Sequence, residues 1–155
     1  MSDSAEASEI AKWHRKFAMS CNNRAWELSV EERTPAQDRE LLDLAHASTW
    51  HWAQMGSELN QMRAKMLLAE VHATLGFGAT ALGFAQEVRD YFAKANPPDW
   101  EAAFVQAVYA HAAFAAGDLA EHRAAYTKAV AAIAAIADSE DREVVEKSFG
   151  RVPAP

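Results

Sequence analysis

The sequence predicts an all-α protein. Hydrophobic residues make up 50% of its 155 positions, and so many of them are alanine that close helix–helix contact is favoured over sheet packing. With 6 glycines and 5 prolines, helix breakers are scarce, and they stand mainly where helical stretches should end. Apolar residues recur at helical spacing, and no stretch alternates with the period of a strand. The length suits one domain with a real core, read here as residues 8–149 between a disordered acidic tail (1–7) and a C-terminal tail (150–155).

From about Ser8, a first helix places Ile10, Trp13, Phe17, Cys21 and Leu28 on one side, which predicts its core face; Met19, Asn22 and Trp26 fall roughly opposite. Thr34-Pro35-Ala36-Gln37 then supplies a capping hydroxyl, a proline at the first helical position and a glutamine at the third, the capping-box pattern. The second helix runs to about Met55. Leu41, Leu44, Ala45, Ser48, Trp52 and Met55 form its core face, and Asp43, His46 and Trp50 lie near the opposite face.

Gly56 closes that helix and Ser57 opens a third, which reaches Leu75 on a stripe of Ala64, Leu67, Leu68, Val71 and Leu75. A fourth, from about Ala79 to Ala95, stops at Asn96-Pro97-Pro98. Asp99 should cap a fifth, Trp100 to Ala116. Gly117-Asp118 turns the chain into a sixth ending near Ile136, and a short one follows from Ser139 to Phe149. Six substantial helices with short links should pack as antiparallel hairpins.

Aligning Gly76 with Gly117 brings Leu68 onto Tyr109, Ala69 onto Ala110, Ala85 onto Tyr126 and Val88 onto Ala129. This pattern resembles the tetratricopeptide repeat (TPR) over residues 58–137, where small residues let two helices approach and a glycine makes the turn. The departures are His122 where that family prefers alanine, Phe77-Gly78 in place of the usual turn continuation, and a glycine offset longer than the repeat. The chain also resembles a group of small bacterial proteins without assigned activity, through the AHAxxxHW run (Ala45 to Trp52), Asn60, Arg63 and the later Asp99-Trp100 with Ala103-Phe104. The resemblance implies a right-handed superhelix of stacked hairpins whose concave surface takes a peptide or protein.

Asp43, His46 and Trp50 share one helix face, and with Asn22 and Trp26 from the preceding helix they form a candidate polar–aromatic binding site. Asn60 and Arg63 in the first turn of the third helix extend it, Arg63 as a fork for a carboxylate or phosphate. The plainer readings are core packing for the tryptophans and helix capping for Asn60. A ligand-binding or metal-dependent enzyme built on His46, Asp43 and Trp50 is one alternative, and a homodimer formed through the aromatic faces is another. Asp43-x-x-His46 has no second such motif to complete a di-metal set, so neither a metal nor a cofactor is expected.

A net charge of −7 argues against a nucleic-acid or anionic-membrane binder. One cysteine, Cys21, allows no internal disulfide, the first residues do not read as a secretory signal, and a cytoplasmic setting is expected. The leading expectation is a non-enzymatic module that binds a protein or peptide.

Overall fold

Seven α-helices and no strand make up residues 2–155, which the computed structural model describes: α1 (Ser2–Ser29), α2 (Pro35–Met55), α3 (Glu58–Thr74), α4 (Gly78–Ala95), α5 (Asp99–Ala115), α6 (Leu119–Ala134) and α7 (Ser139–Phe149). Residues 2–7, expected as a tail, lie within α1; Met1 lies outside the described residues. Two compact units divide the chain at 68/69, inside α3, where no proline, glycine or polar run marks a boundary in the sequence.

In the first unit α1 and α2 form an antiparallel hairpin whose seam combines small residues with a few large apolar ones. Ala18, Ala25 and Leu28 of α1 are buried, as are Leu41, Ala45, Ser48 and Trp52 of α2. The Ser48 hydroxyl donates to the Ala18 carbonyl at 3.0 Å across the seam, an approach that larger side chains would block. This corrects the expected core face of α1. Ile10, Trp13 and Phe17 are each about half exposed, because the alanines one position on from Phe17 and Arg24 take the inner side instead.

Two devices fix the turn of this hairpin. The capping box forms as expected: the Thr34 hydroxyl accepts from the Gln37 N–H, and the Gln37 side chain accepts from the Thr34 N–H at 2.9 Å. Arg33 closes the end of α1 by donating to the carbonyls of Leu28, Ser29 and Glu31, while its Nε donates to Asp38 at 2.8 Å. A charged side chain thus satisfies carbonyls that the helix itself leaves open.

In the second unit α5 packs against α4, α6 and α7 and is buried on most sides. The facing stripes are Ala81, Ala85, Val88 and Phe92 on α4, and His122, Ala125, Ala129 and Ile133 on α6. Gly76 and Gly117, at φ 83° and 78°, make two turns of the same kind. The Phe77 N–H donates back to the His72 carbonyl and the Asp118 N–H to the Ala113 carbonyl, closing each helix over a left-handed residue that favours glycine. Asp99 is the first residue of α5 rather than its cap. Its carboxylate accepts from the Trp100 N–H at 2.7 Å and from the Ala137 N–H at 2.9 Å, tying the start of α5 to the link after α6. The 150–155 segment, expected as a tail, buries Val152.

At Gly78 a β-carbon would overlap the backbone of Ala115 and Ala116, so the start of α4 lies directly on the end of α5. Gly83, by contrast, has open space around it on the same helix. Gly78→Ala should therefore lower stability by about 1–3 kcal/mol, and Gly83→Ala should raise it by roughly 0.5–1 kcal/mol. Urea denaturation of the two variants checks this; equal effects at both positions would contradict the close approach.

Candidate binding surface

The side chains that stand out on the first unit are aromatic. Along α1, Ile10, Trp13, His14 and Phe17 follow i, i+3, i+4 and i+7 spacing and share a face, and α2 brings Trp50 and His51 beside them. Trp13 stacks on Phe17 with ring centroids 5.8 Å apart, and Lys16 lies over the Trp13 ring at 5.0 Å. His14 contacts Trp50 at 5.4 Å and His51 at 5.1 Å, and Phe17 contacts His51 at 5.5 Å. Trp50 is 57% exposed, and Ile10, Trp13 and Phe17 are each close to 50% exposed.

The two histidines hold the cluster together. Their Nδ1 atoms lie 2.8 Å apart, so one carries a proton and the other offers its lone pair. Burial, and then the charge of His14, push the His51 imidazole below the usual histidine range. This shift favours the neutral form of His51.

The residues singled out in the sequence are distributed differently. Asp43, His46 and Trp50 are all exposed on α2, as their common face requires, but Trp50 turns to His14 and His51. A shallow hollow of about 450 Å³ beside Asp43 is lined by Ala36, Arg39, Glu40, Leu44 and Ala47, without His46 or Trp50. Asn22 is half-buried and donates to Asn23 at 3.2 Å; Trp26 and Arg63 are half-buried too. Asn60 helps cap α3: its side-chain Oδ1 accepts from the Ser57 backbone N–H at 3.2 Å and from the Ser57 hydroxyl at 2.9 Å, while its backbone N–H donates to that hydroxyl. The thiol of Cys21, half-buried, is raised by burial, which disfavours the reactive thiolate.

Among the described residues no group of three His, Cys, Asp or Glu is placed to hold a metal ion, and no helix is long and apolar enough to cross a membrane. Comparison with known proteins finds no matching family model, no matching curated protein and no matching solved structure.

The second unit holds buried polar groups, among them His122, which the sequence marks only as a departure from the repeat pattern. Glu70 and His111 are buried, and the His111 Nδ1 lies 2.9 Å from the Glu70 carboxylate. His122 is buried between Phe114 and Tyr126, and its Nδ1–H donates to the Ala110 carbonyl at 2.9 Å. A usable signal did exist. Glu70 is a charge inside the apolar run Met66–Val71, and burying it requires a partner. His111 follows at the same offset that separates Gly76 from Gly117.

Burial alone would lower the His111 pKa, but the charge and hydrogen bond of Glu70 outweigh it, and the net shift is upward from 6.5. Stability from the charged pair is thus fully present below the unfolded pKa of about 6.5, and is lost as pH rises through the raised folded pKa. The melting-temperature gap between wild type and Glu70→Gln should be widest in mild acid and narrow with increasing pH, and the His111 ring should titrate lower in the variant. His111→Ala, which strands the carboxylate, should cost about 3–5 kcal/mol. A gap that widens with pH would contradict the assignment.

Proposed function

We propose that the chain is a non-enzymatic protein-binding module whose contact face is the aromatic cluster of α1 and α2. The observation that carries this reading is the exposure of Trp13, Phe17 and Trp50 together, joined by Ile10 and rimmed by Glu9, Lys12 and Lys16. Apolar surface gathered in one rimmed patch marks an interaction site, whereas apolar residues scattered singly are ordinary. Tryptophan is also the residue most enriched among those that dominate binding energy. The His14–His51 contact adds directional polar groups within the same patch.

The TPR-like arrangement belongs to this proposal. Its support is the matched turn geometry at Gly76 and Gly117 and the small-residue stripes of α4 to α6. Kinship with the small bacterial helical-repeat proteins and a cytoplasmic setting are proposed with it, on the residues quoted above and on the acidic charge with one cysteine. Asn22, Trp26, Asp43, His46, Asn60 and Arg63 are secondary candidates on the same unit. Trp50 joins both sets.

Photo-crosslinking in cells tests the reading. A photoreactive phenylalanine in place of Phe17 should give adducts of discrete mass, and the same residue in place of Val144, 66% exposed on α7, should give none. The absence of any adduct from position 17 would overturn the assignment of this face.

A further inference from the structure

We infer that the occupant of this face is a second copy of the same chain, paired antiparallel along the N-terminal half of α1. The inference rests on reading α1–α2 as the contact face, and it adds the partner and the register.

The first observation is the length of α1. His14 meets His51 and Ala18 meets Ser48, which places Met55, the last residue of α2, level with Ile10 or Ala11. Helix α1 therefore runs on past the end of α2 for about two turns, and residues 3–10 are all exposed. An unpacked helical segment of that size gains little from its own propensity. A helix laid alongside it would complete its packing.

The second observation is the stripe on that segment. Glu6, Ile10, Trp13 and Phe17 recur at alternating spacings of four and three, the seam positions of a two-helix coil. An antiparallel pair that sets Ile10 against the second copy's Trp13 also sets Trp13 against the second copy's Ile10, so one twofold axis satisfies both. In the same register Glu6 stands across from the second copy's Phe17 at the outer end of the seam, beside a shallow hollow of about 370 Å³ lined by Ala5, Glu9, Lys12, Trp13 and Lys16.

The third observation is charge. In that register the residues flanking the seam are Glu9 and Lys16, and Glu9 of each copy faces Lys16 of the other. Lys16 lies over the Trp13 ring, which holds its ammonium at the edge of the seam where this carboxylate arrives. Within one chain the two residues stand two turns apart, roughly 10 Å along the axis, too far to pair with each other.

The area is sufficient. Half-exposed Trp13, Phe17 and Trp50 together with Ile10 present roughly 400 Å² of apolar surface. Two copies double this, and the stems of Glu9, Lys12 and Lys16 bring the total near the roughly 1,000 Å² that a specific interface needs.

Sedimentation equilibrium of the full chain, from micromolar to millimolar concentration, is the test. Wild type should move from monomer to dimer. Glu9→Lys and Lys16→Glu should each weaken the dimer about tenfold or more by placing like charges across the axis twice. The double variant Glu9→Lys/Lys16→Glu should restore it. All four proteins should keep the same helical circular dichroism, since both positions are exposed. A chain that stays monomeric throughout overturns the second copy as occupant; if position 17 still crosslinks to other proteins, the contact-face reading survives this failure. A dimer that the single reversals leave intact, or that the double variant does not restore, overturns the antiparallel α1 register.

Discussion

Close backbone approach through small residues is the constraint on which the rest of the structure depends. In the first unit it lets Ser48 reach the Ala18 carbonyl, and in the second it lets Gly78 lie on the backbone of Ala115 and Ala116. At Ala18 the seam takes a small residue from α1, and the one indole it buries comes from α2, where Trp52 packs in the same cluster as Ala18. Trp13 and Phe17 lie on the flank of α1, and Trp50 on the flank of α2. The exposed aromatic surface follows from how the hairpin closes. Alanine contributes little apolar area per residue, so such a seam relies on fit and on the number of contacts along it.

The same closeness raises the stakes for polar groups inside the second unit. Glu70, Glu101, His72, His111 and His122 are all buried there. A carboxylate moved out of water costs several kcal/mol unless it is paired, and Glu70 meets that requirement with His111. His122 spends its Nδ1–H on the Ala110 carbonyl, and its Nε2 has no hydrogen-bond partner among the described residues. The rings of Phe114 and Tyr126 form the slot that holds it.

Helix boundaries were largely legible in the sequence because they are set locally. Thr34-Pro35-Ala36-Gln37, the Gly76 and Gly117 turns and Asn96-Pro97-Pro98 each act within a few residues. The buried face of α2 was legible too, since Leu41, Ala45, Ser48 and Trp52 keep a clean helical spacing. The buried face of α1 was not. Its inner positions are alanines, which carry a weak apolar signal, and the larger periodic signal of Ile10, Trp13 and Phe17 masks them. The candidate site was half legible for a related reason. That Asp43, His46 and Trp50 share a face follows from counting along one helix. That Trp50 and His51 meet His14 depends on hairpin register, which no local pattern encodes. Glu70 and His111 lie between these cases: each is anomalous locally, and only a spacing equal to that of Gly76 and Gly117 links them.

The polar link inside the aromatic surface bears on what that surface is suited to do. Exposed rings on two separate helices would ordinarily sample several rotamers, and ordering them on contact would cost binding energy. Here the Nδ1 atoms of His14 and His51 share a hydrogen bond, Trp50 packs against both imidazoles, and Phe17 packs against His51. Ring positions on α1 are thereby tied to ring positions on α2 before any partner arrives. The tie requires one of the two imidazoles to stay neutral, and burial and the neighbouring His14 favour the neutral form of His51. A cluster stiffened in this way costs less to order on contact than the same rings left loose. On the proposed contact face the Trp13–Phe17 stack lies next to the charges of Glu9 and Lys16, so apolar adhesion and charge-determined register would act at the same place on α1.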